Sequence, residues 1–124
     1  MKTLFLLPIL LLSLISCSSE TDSVVEQTDS VVEREGLYYK KFSDTPFTGK
    51  FIKYRVNGQL WRKGSYKNGK REGEWVFYHD NGQLWSKGSY KNGELEGEWV
   101  DYRKDGTVNR YLSGTFKNGK KISD

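Results

Sequence analysis

Gly73-Glu74-Trp75-Val76-Phe77-Tyr78-His79-Asp80-Asn81-Gly82-Gln83-Leu84-Trp85-Ser86-Lys87-Gly88-Ser89-Tyr90-Lys91-Asn92-Gly93 has a near copy on either side of it. Upstream, Gly49 to Glu72 aligns with Gly73 to Glu96 at a shift of 24 residues. Gly58-Gln59-Leu60-Trp61 matches Gly82-Gln83-Leu84-Trp85, and Lys63-Gly64-Ser65-Tyr66-Lys67-Asn68-Gly69 matches Lys87 to Gly93. Downstream, Gly97-Glu98-Trp99-Val100 opens a third copy, which closes with Gly114-Thr115-Phe116-Lys117-Asn118-Gly119 after a two-residue insertion. The repeat units are therefore 49–72, 73–96 and 97–120. Turn dipeptides stand at Asn57-Gly58, Asn68-Gly69, Asn81-Gly82, Asn92-Gly93, Asp105-Gly106 and Asn118-Gly119, with spacings of 11, 13, 11, 13 and 13. Asn and Gly both tolerate positive φ, so each pair suits a two-residue type I′ turn. Each spacing holds one strand and its turn, which predicts a β-meander of antiparallel hairpins. Within a strand, Trp75, Phe77 and His79 fall on one face and Glu74, Val76 and Tyr78 on the other. Gly64, Gly88 and Gly114 recur in strand interiors, where glycine marks close approach by a backbone or an aromatic ring.

Composition agrees with this reading. Aromatic residues make up 15% of the 124 residues, there are 13 glycines, and Ala is absent, so the apolar content favours aromatic strands with glycine turns over helices. The fold class is all-β. The length allows one small domain and a tether.

The first 16 residues read as a secretory signal peptide that is removed: Lys2 supplies a positive start and Leu4 to Ile15 an apolar run of twelve residues. That run is shorter than the about 20 residues a membrane span takes. Leu14-Ile15-Ser16-Cys17 then resembles the lipobox of bacterial lipoproteins, in which the Cys receives a diacylglyceryl group and the chain is cut before it. The resemblance implies lipid attachment at Cys17, anchorage in the bacterial cell envelope, and the outer membrane facing the periplasm in a Gram-negative host, since Ser18 rather than Asp follows. Cys17 is the only cysteine, so an exported chain has no internal disulfide to form, and acylation gives the thiol a use. Residues 17–35 contain no aromatic residue, repeat Thr-Asp-Ser-Val-Val-Glu at 21–26 and 28–33, and carry six acidic residues against Arg34, which suggests a disordered, acidic tether. From Gly36 onward eighteen Lys and Arg face ten Asp and Glu, so the domain is basic.

The repeated residues resemble the MORN-repeat class, in its bacterial variant with units of the form Gly-Glu-Trp-x-x-Tyr, Asn-Gly-x-Leu and Gly-x-Tyr-x-Asn-Gly. Gly73 to Gly93 carries nearly the whole pattern. Residues 36–48, with Leu37-Tyr38-Tyr39 and Thr45-Pro46-Phe47-Thr48, resemble the N-terminal cap that precedes such repeats. Phe51 stands for Trp in the first unit and Asn109 for Trp in the third; terminal units of a solenoid are expected to be atypical. The resemblance implies a solenoid of hairpins that binds or scaffolds. It also connects the chain to YwqK-type antitoxins, which makes neutralisation of a partner toxin the alternative function.

No constellation for catalysis stands out, and neither a metal nor another cofactor is expected. His79 is the only histidine. The carboxylates Glu72, Glu74, Glu94, Glu96 and Glu98 sit among Lys and Arg, where cross-strand charge pairing outweighs acid–base chemistry. Basic residues interleaved with aromatics suit nucleic acid, but export argues against it, so the expected partners are the membrane through the Cys17 lipid and an anionic envelope component or a partner protein. Trp61 and Trp85 occupy equivalent positions, as do Lys63 and Lys87. Alternation predicts all four on one face as a candidate binding ladder, the competing reading being that these rings are core.

Overall fold

The computed structural model describes residues 26–27 and 31–124. The stretch read as a signal peptide, Cys17 and the first part of the acidic segment lie outside them. Among the described residues the chain forms strands and turns with no helix. The strands are β1 (Glu26–Gln27), β2 (Val31–Arg34), β3 (Leu37–Lys40), β4 (Gly49–Tyr54), β5 (Leu60–Lys67), β6 (Lys70–Tyr78), β7 (Leu84–Lys91), β8 (Glu94–Asp101), β9 (Gly114–Lys117) and β10 (Lys120–Ser123). From β4 to β10 each strand pairs antiparallel with the next in chain order, which is the expected meander. Two features at the start differ from expectation. β1 joins β4 in parallel, and β2 forms a separate hairpin with β3 through a Glu35-Gly36 turn, so part of the segment read as tether is strand. The β-branched pair Val31-Val32 accounts for this: Val31 packs on the aromatic core, and its strand propensity overrides the acidic composition around it.

The turns fall into two kinds. At Asn68-Gly69, Asn92-Gly93 and Asn118-Gly119 both residues have positive φ, the type I′ geometry expected. At Asn57-Gly58, Asn81-Gly82 and Asp105-Gly106 only the glycine does, and the glycine amide donates to the carbonyl three residues back (Gly58 to Arg55, Gly82 to His79, Gly106 to Arg103). These are three-residue loops, a type I turn closed by a glycine bulge. The Asn57, Asn81 and Asp105 side chains cause the difference. Each accepts the amide two residues on, at 3.1, 3.0 and 2.9 Å, which holds the residue out of the left-handed region.

One face of the sheet carries the core. Phe47, Phe51, Tyr66 and Trp75 are buried together, with Val31, Tyr38, Phe77 and Tyr90 packed around them. Trp75 is the fulcrum: fully buried, it lies over Gly64 across the strand pair β5–β6 and donates its indole N–H to the Ser65 carbonyl at 3.0 Å. Trp99 lies over Gly88 in the same way one unit on. Gly73, at φ 74°, supplies the left-handed residue that lifts the chain into position before Trp75. The segment ahead of the repeats packs on the same face, with the Tyr38 ring 4.5 Å and the Phe47 ring 5.9 Å from Tyr66. Gly114 does not follow the ring-on-glycine rule, since its neighbours are Ser123 and Lys121 of β10. In the third unit Asn109 and the insertion take the chain out of the sheet after the Tyr102–Val108 bridge, leaving Tyr111 and Leu112 exposed.

A methyl group at Gly64 would occupy the volume of the Trp75 indole, which has no room to withdraw. Gly64→Ala should therefore lower the unfolding free energy by about 2–3 kcal/mol in urea titration, whereas Lys67→Ala on the same strand, where Lys67 is exposed, should be near neutral.

Candidate functional site

The two pairs of candidate ladder residues are separated. β4–β5 and β6–β7 each carry a bulge, between Lys53 and Tyr54 in the first pair and between Phe77 and Tyr78 in the second, and the residue stepped over on the partner strand is Trp61 or Trp85. That extra residue reverses the alternation. Trp85 therefore lies on the aromatic face, stacked on His79 at 5.5 Å and edge-on to Phe77 at 6.3 Å. Lys87 points to the opposite face, where it pairs with Glu74 at 3.8 Å. Trp61 is placed as Trp85 is, and Lys63 as Lys87 is. The expectation that all four share one face fails because strict alternation does not survive the bulge. On the opposite face the lysines instead form a cross-strand row, Ile52, Lys63, Val76, Lys87 and Val100 in direct register, in which β-branched side chains separate the cations.

Nor are the two tryptophans core. Trp75 is fully buried, Trp61 half-buried, and Trp85 41% exposed. They mark the margin of the aromatic face, where cations join the rings. Lys53 Nζ stands 5.0 Å from the Trp61 ring centre, with the Arg55 and Arg62 guanidinium carbons at 5.2 and 5.1 Å. Arg62 also covers Phe51 at 5.4 Å. Nearer the centre, Arg71 lies over Trp75, Phe77 and Tyr90, at 4.9, 5.6 and 5.3 Å, and donates to the Tyr90 hydroxyl at 3.2 Å. Contacts of this kind contribute about 0.5–2 kcal/mol each, the larger value where water is excluded. The sequence shows these cations, but their gathering around particular rings depends on register and bulges that spacing alone does not display.

Several polar residues with the makings of chemistry are committed to structure. The Tyr102 carbonyl sits 2.7 Å from His79 Nε2; a carbonyl only accepts, so Nε2 carries the proton. Arg55 makes the equivalent bond one unit earlier, donating to the Tyr78 carbonyl at 2.8 Å. Glu72 and Glu96 accept the Asn92 and Asn118 amides at 3.0 and 3.1 Å, and Thr48 accepts that of Asn68 at 2.8 Å. Glu74 pairs across strands as expected, but Glu72 and Glu96 cap turns, a role visible in the sequence only as a recurring position. Asp101 is buried beside Asn109, His79 and Trp85; burial pushes its carboxyl up against their opposing pull. Among the described residues no group of His, Cys, Asp and Glu is arranged to hold a metal ion.

The strand-turn-strand units, the glycines under tryptophan and the recurring Asn-Gly turns together make a repeat type that can be compared directly. Residues 47–68 and 71–92 match the MORN repeat variant. These two stretches are similar to repeats of this class, and they begin two residues ahead of the unit starts at Gly49 and Gly73. No curated protein and no solved structure gives a significant match. The third MORN-like unit lies beyond the matched segments and is the one whose Trp is replaced by Asn109.

Charge is distributed unevenly over these units. Residues 49–72 hold eight Lys and Arg against Glu72 alone, whereas 73–96 hold two Lys against four Asp and Glu. The basic field of the domain is therefore concentrated in the first repeat unit, around Trp61.

Tyr66 shows how a dry aromatic face acts on a titratable group. Burial pushes its phenol up to about 12, while Arg71 and Arg62 pull the other way. In the unfolded chain the same phenol ionises near about 10. A group whose folded value is raised stabilises fully below the unfolded value and loses that contribution as pH climbs through the folded one. Unfolding free energy should hence fall between about pH 10 and pH 12, by up to roughly 2–3 kcal/mol from Tyr66, and Tyr66→Phe should flatten that part of the curve while leaving neutral-pH stability nearly unchanged.

Proposed function

We propose that the chain is a lipid-anchored, non-catalytic binding module of the bacterial envelope, tethered through Cys17 and working through its aromatic face. The observation that carries the reading is the margin of that face, where Trp61 and Trp85 stay accessible among Lys53, Arg55, Arg62 and His79 instead of closing into the core. Indole rings beside fixed cations suit a ligand with apolar or sugar rings and anionic groups. The non-catalytic reading is supported by where the polar side chains are spent: His79 on a backbone carbonyl, Glu72 and Glu96 on turn amides, Glu74 on Lys87. MORN repeats, which transfer fold more safely than function, are consistent with a scaffold. Anchorage rests on the lipobox-like Leu14-Ile15-Ser16-Cys17, outside the described residues. Neutralisation of a partner toxin is the second reading, favoured by the exposed Tyr111 and Leu112 in the third unit.

Cys17→Ser should abolish incorporation of labelled palmitate and leave uncut precursor, read by intact mass; wild-type protein that takes up no label and matures at another residue would refute the anchor. The face is tested separately. Trp85→Ala should cost no more than about 1.5 kcal/mol of stability and Trp75→Ala at least about 4 kcal/mol, and only the stable Trp85→Ala variant is informative on binding. Crosslinking from intact membranes should recover less partner with it, and undiminished recovery would exclude this face.

A further inference from the structure

We propose that Lys53, Arg55 and Arg62 form a discrete oxyanion site on Trp61, suited to a phosphate- or sulfate-type group. This deepens the binding reading above by naming the residues and ligand chemistry, and it does not depend on the lipid anchor. The three cations converge on one indole at 5.0, 5.2 and 5.1 Å. Lys53 and Arg62 are direct cross-strand partners in register on the same face. Like charges so placed oppose each other and destabilise a sheet. The repeat shows that the fold does not require them. One unit on, the equivalent pair is Phe77 and Ser86, in register with each other, and Ser86 is 5% exposed. Arg55 likewise stands where the second unit has His79, and Val56 where it has Asp80. At one spot, then, the first unit has gained three cations and lacks the acid of its neighbour.

Among the described residues no carboxylate is paired with Lys53, Arg55 or Arg62, and Asp80, the acid whose ionisation Arg55 favours, is held by Lys104 at 3.0 Å. The Nε atoms of Arg55 and Arg62 are buried with no hydrogen-bond partner. With Nε enclosed, each guanidinium meets a ligand through its terminal nitrogens, none of which is buried without a partner, and an oxyanion accepting there forms charge-assisted hydrogen bonds with both arginines. The Arg55–Tyr78 carbonyl bond fixes one fork in advance, and the Trp61 ring holds all three cations despite their repulsion. A tetrahedral phosphate- or sulfate-type group is favoured over a planar carboxylate because its three or four acceptor oxygens suit three separate cationic donors.

The test uses the full chain in detergent micelles, with the arginine Nε–H and Trp61 Nε1–H resonances followed as sodium phosphate replaces chloride at constant ionic strength. Saturable shifts of Arg55, Arg62 and Trp61 are expected. Arg62→Gln and Lys53→Gln should each weaken binding about tenfold, whereas Lys91→Gln and Lys117→Gln, which remove the same charge elsewhere, should not. Two variants guard against one failing to fold. Shifts that never saturate, or that fall equally in all four variants, would overturn the site in favour of a diffuse positive field. Phosphatidylglycerol vesicles identify the source of the group: co-sedimentation that phosphate competes away and Arg62→Gln reduces means a lipid headgroup occupies the site. Phosphate binding without vesicle binding means a soluble or glycan-borne group. Vesicle binding indifferent to both phosphate and Arg62→Gln, with no phosphate shifts, overturns the proposal. Because Cys17→Ser protein should still bind phosphate, loss of the anchor and loss of the site are told apart.

Discussion

A tryptophan lying flat on a glycine of the neighbouring strand is the contact on which the sheet depends. A single antiparallel layer has no second layer to pack against, so its apolar residues must shield one another across strands. Trp75 over Gly64 and Trp99 over Gly88 achieve this with a large ring and an empty Cβ position, bringing Phe51, Tyr66, Phe77 and Tyr90 into edge and face contact around the indoles. The rings bury area that Leu and Ile bury in an ordinary core. The 24-residue shift between Trp75 and Trp99 matches that between Gly64 and Gly88, because each tryptophan needs a glycine on the preceding strand. The unit length is in this sense a packing requirement, and the turns serve it.

Much of this was legible in the sequence. The repeat register, the all-β class, the order of hairpins, the aromatic face of β6 and the close approach at Gly64 and Gly88 all follow from the spacing of Trp, Gly and Asn-Gly. What sequence spacing missed has a common cause in backbone irregularity. A bulge adds one residue to one strand and leaves no distinctive residue behind, so the sides on which Trp61 and Trp85 emerge relative to Lys63 and Lys87 cannot be counted out by twos. The two turn classes were hidden because the same Asn-Gly pair serves both; only the residues accepted by the Asn side chain tell them apart. The hairpin at Val31–Arg34 was obscured by the acidic residues around a short β-branched pair. Composition averages over a segment, whereas a strand needs only a few residues with a surface to cover.

The candidate site was half legible. Trp61 and Trp85 were singled out by recurrence, and the structure leaves both at the rim of the aromatic face. Arg55, Arg62 and Lys53 were not, because what marks them is difference between units. Repeats conceal this while they are read for similarity: the shared residues, Gly64, Tyr66, Asn68 and Gly69 among them, build the sheet. The residues that change at one place, Lys53 against Phe77 and Arg62 against Ser86, are free of that duty.

That separation bears on how a thin sheet can carry a binding surface at all. Every ring removed from the core weakens a fold with few rings to spare, so accessible indoles must be held by something other than burial. In the second unit Trp85 is held by His79, itself fixed by the Tyr102 carbonyl, and in the first unit Trp61 is held by cations. Both devices use the same position at the end of an even-numbered strand, Arg55 or His79, whose side chain reaches the backbone of the next unit at Tyr78 or Tyr102. The bond that ties one unit to its neighbour thus also orients the ring at the rim. A ligand gripping Trp61 would load the Arg55–Tyr78 link and, through it, the packing between the first and second units, so that binding at the proposed site would be coupled to stability through a single side chain.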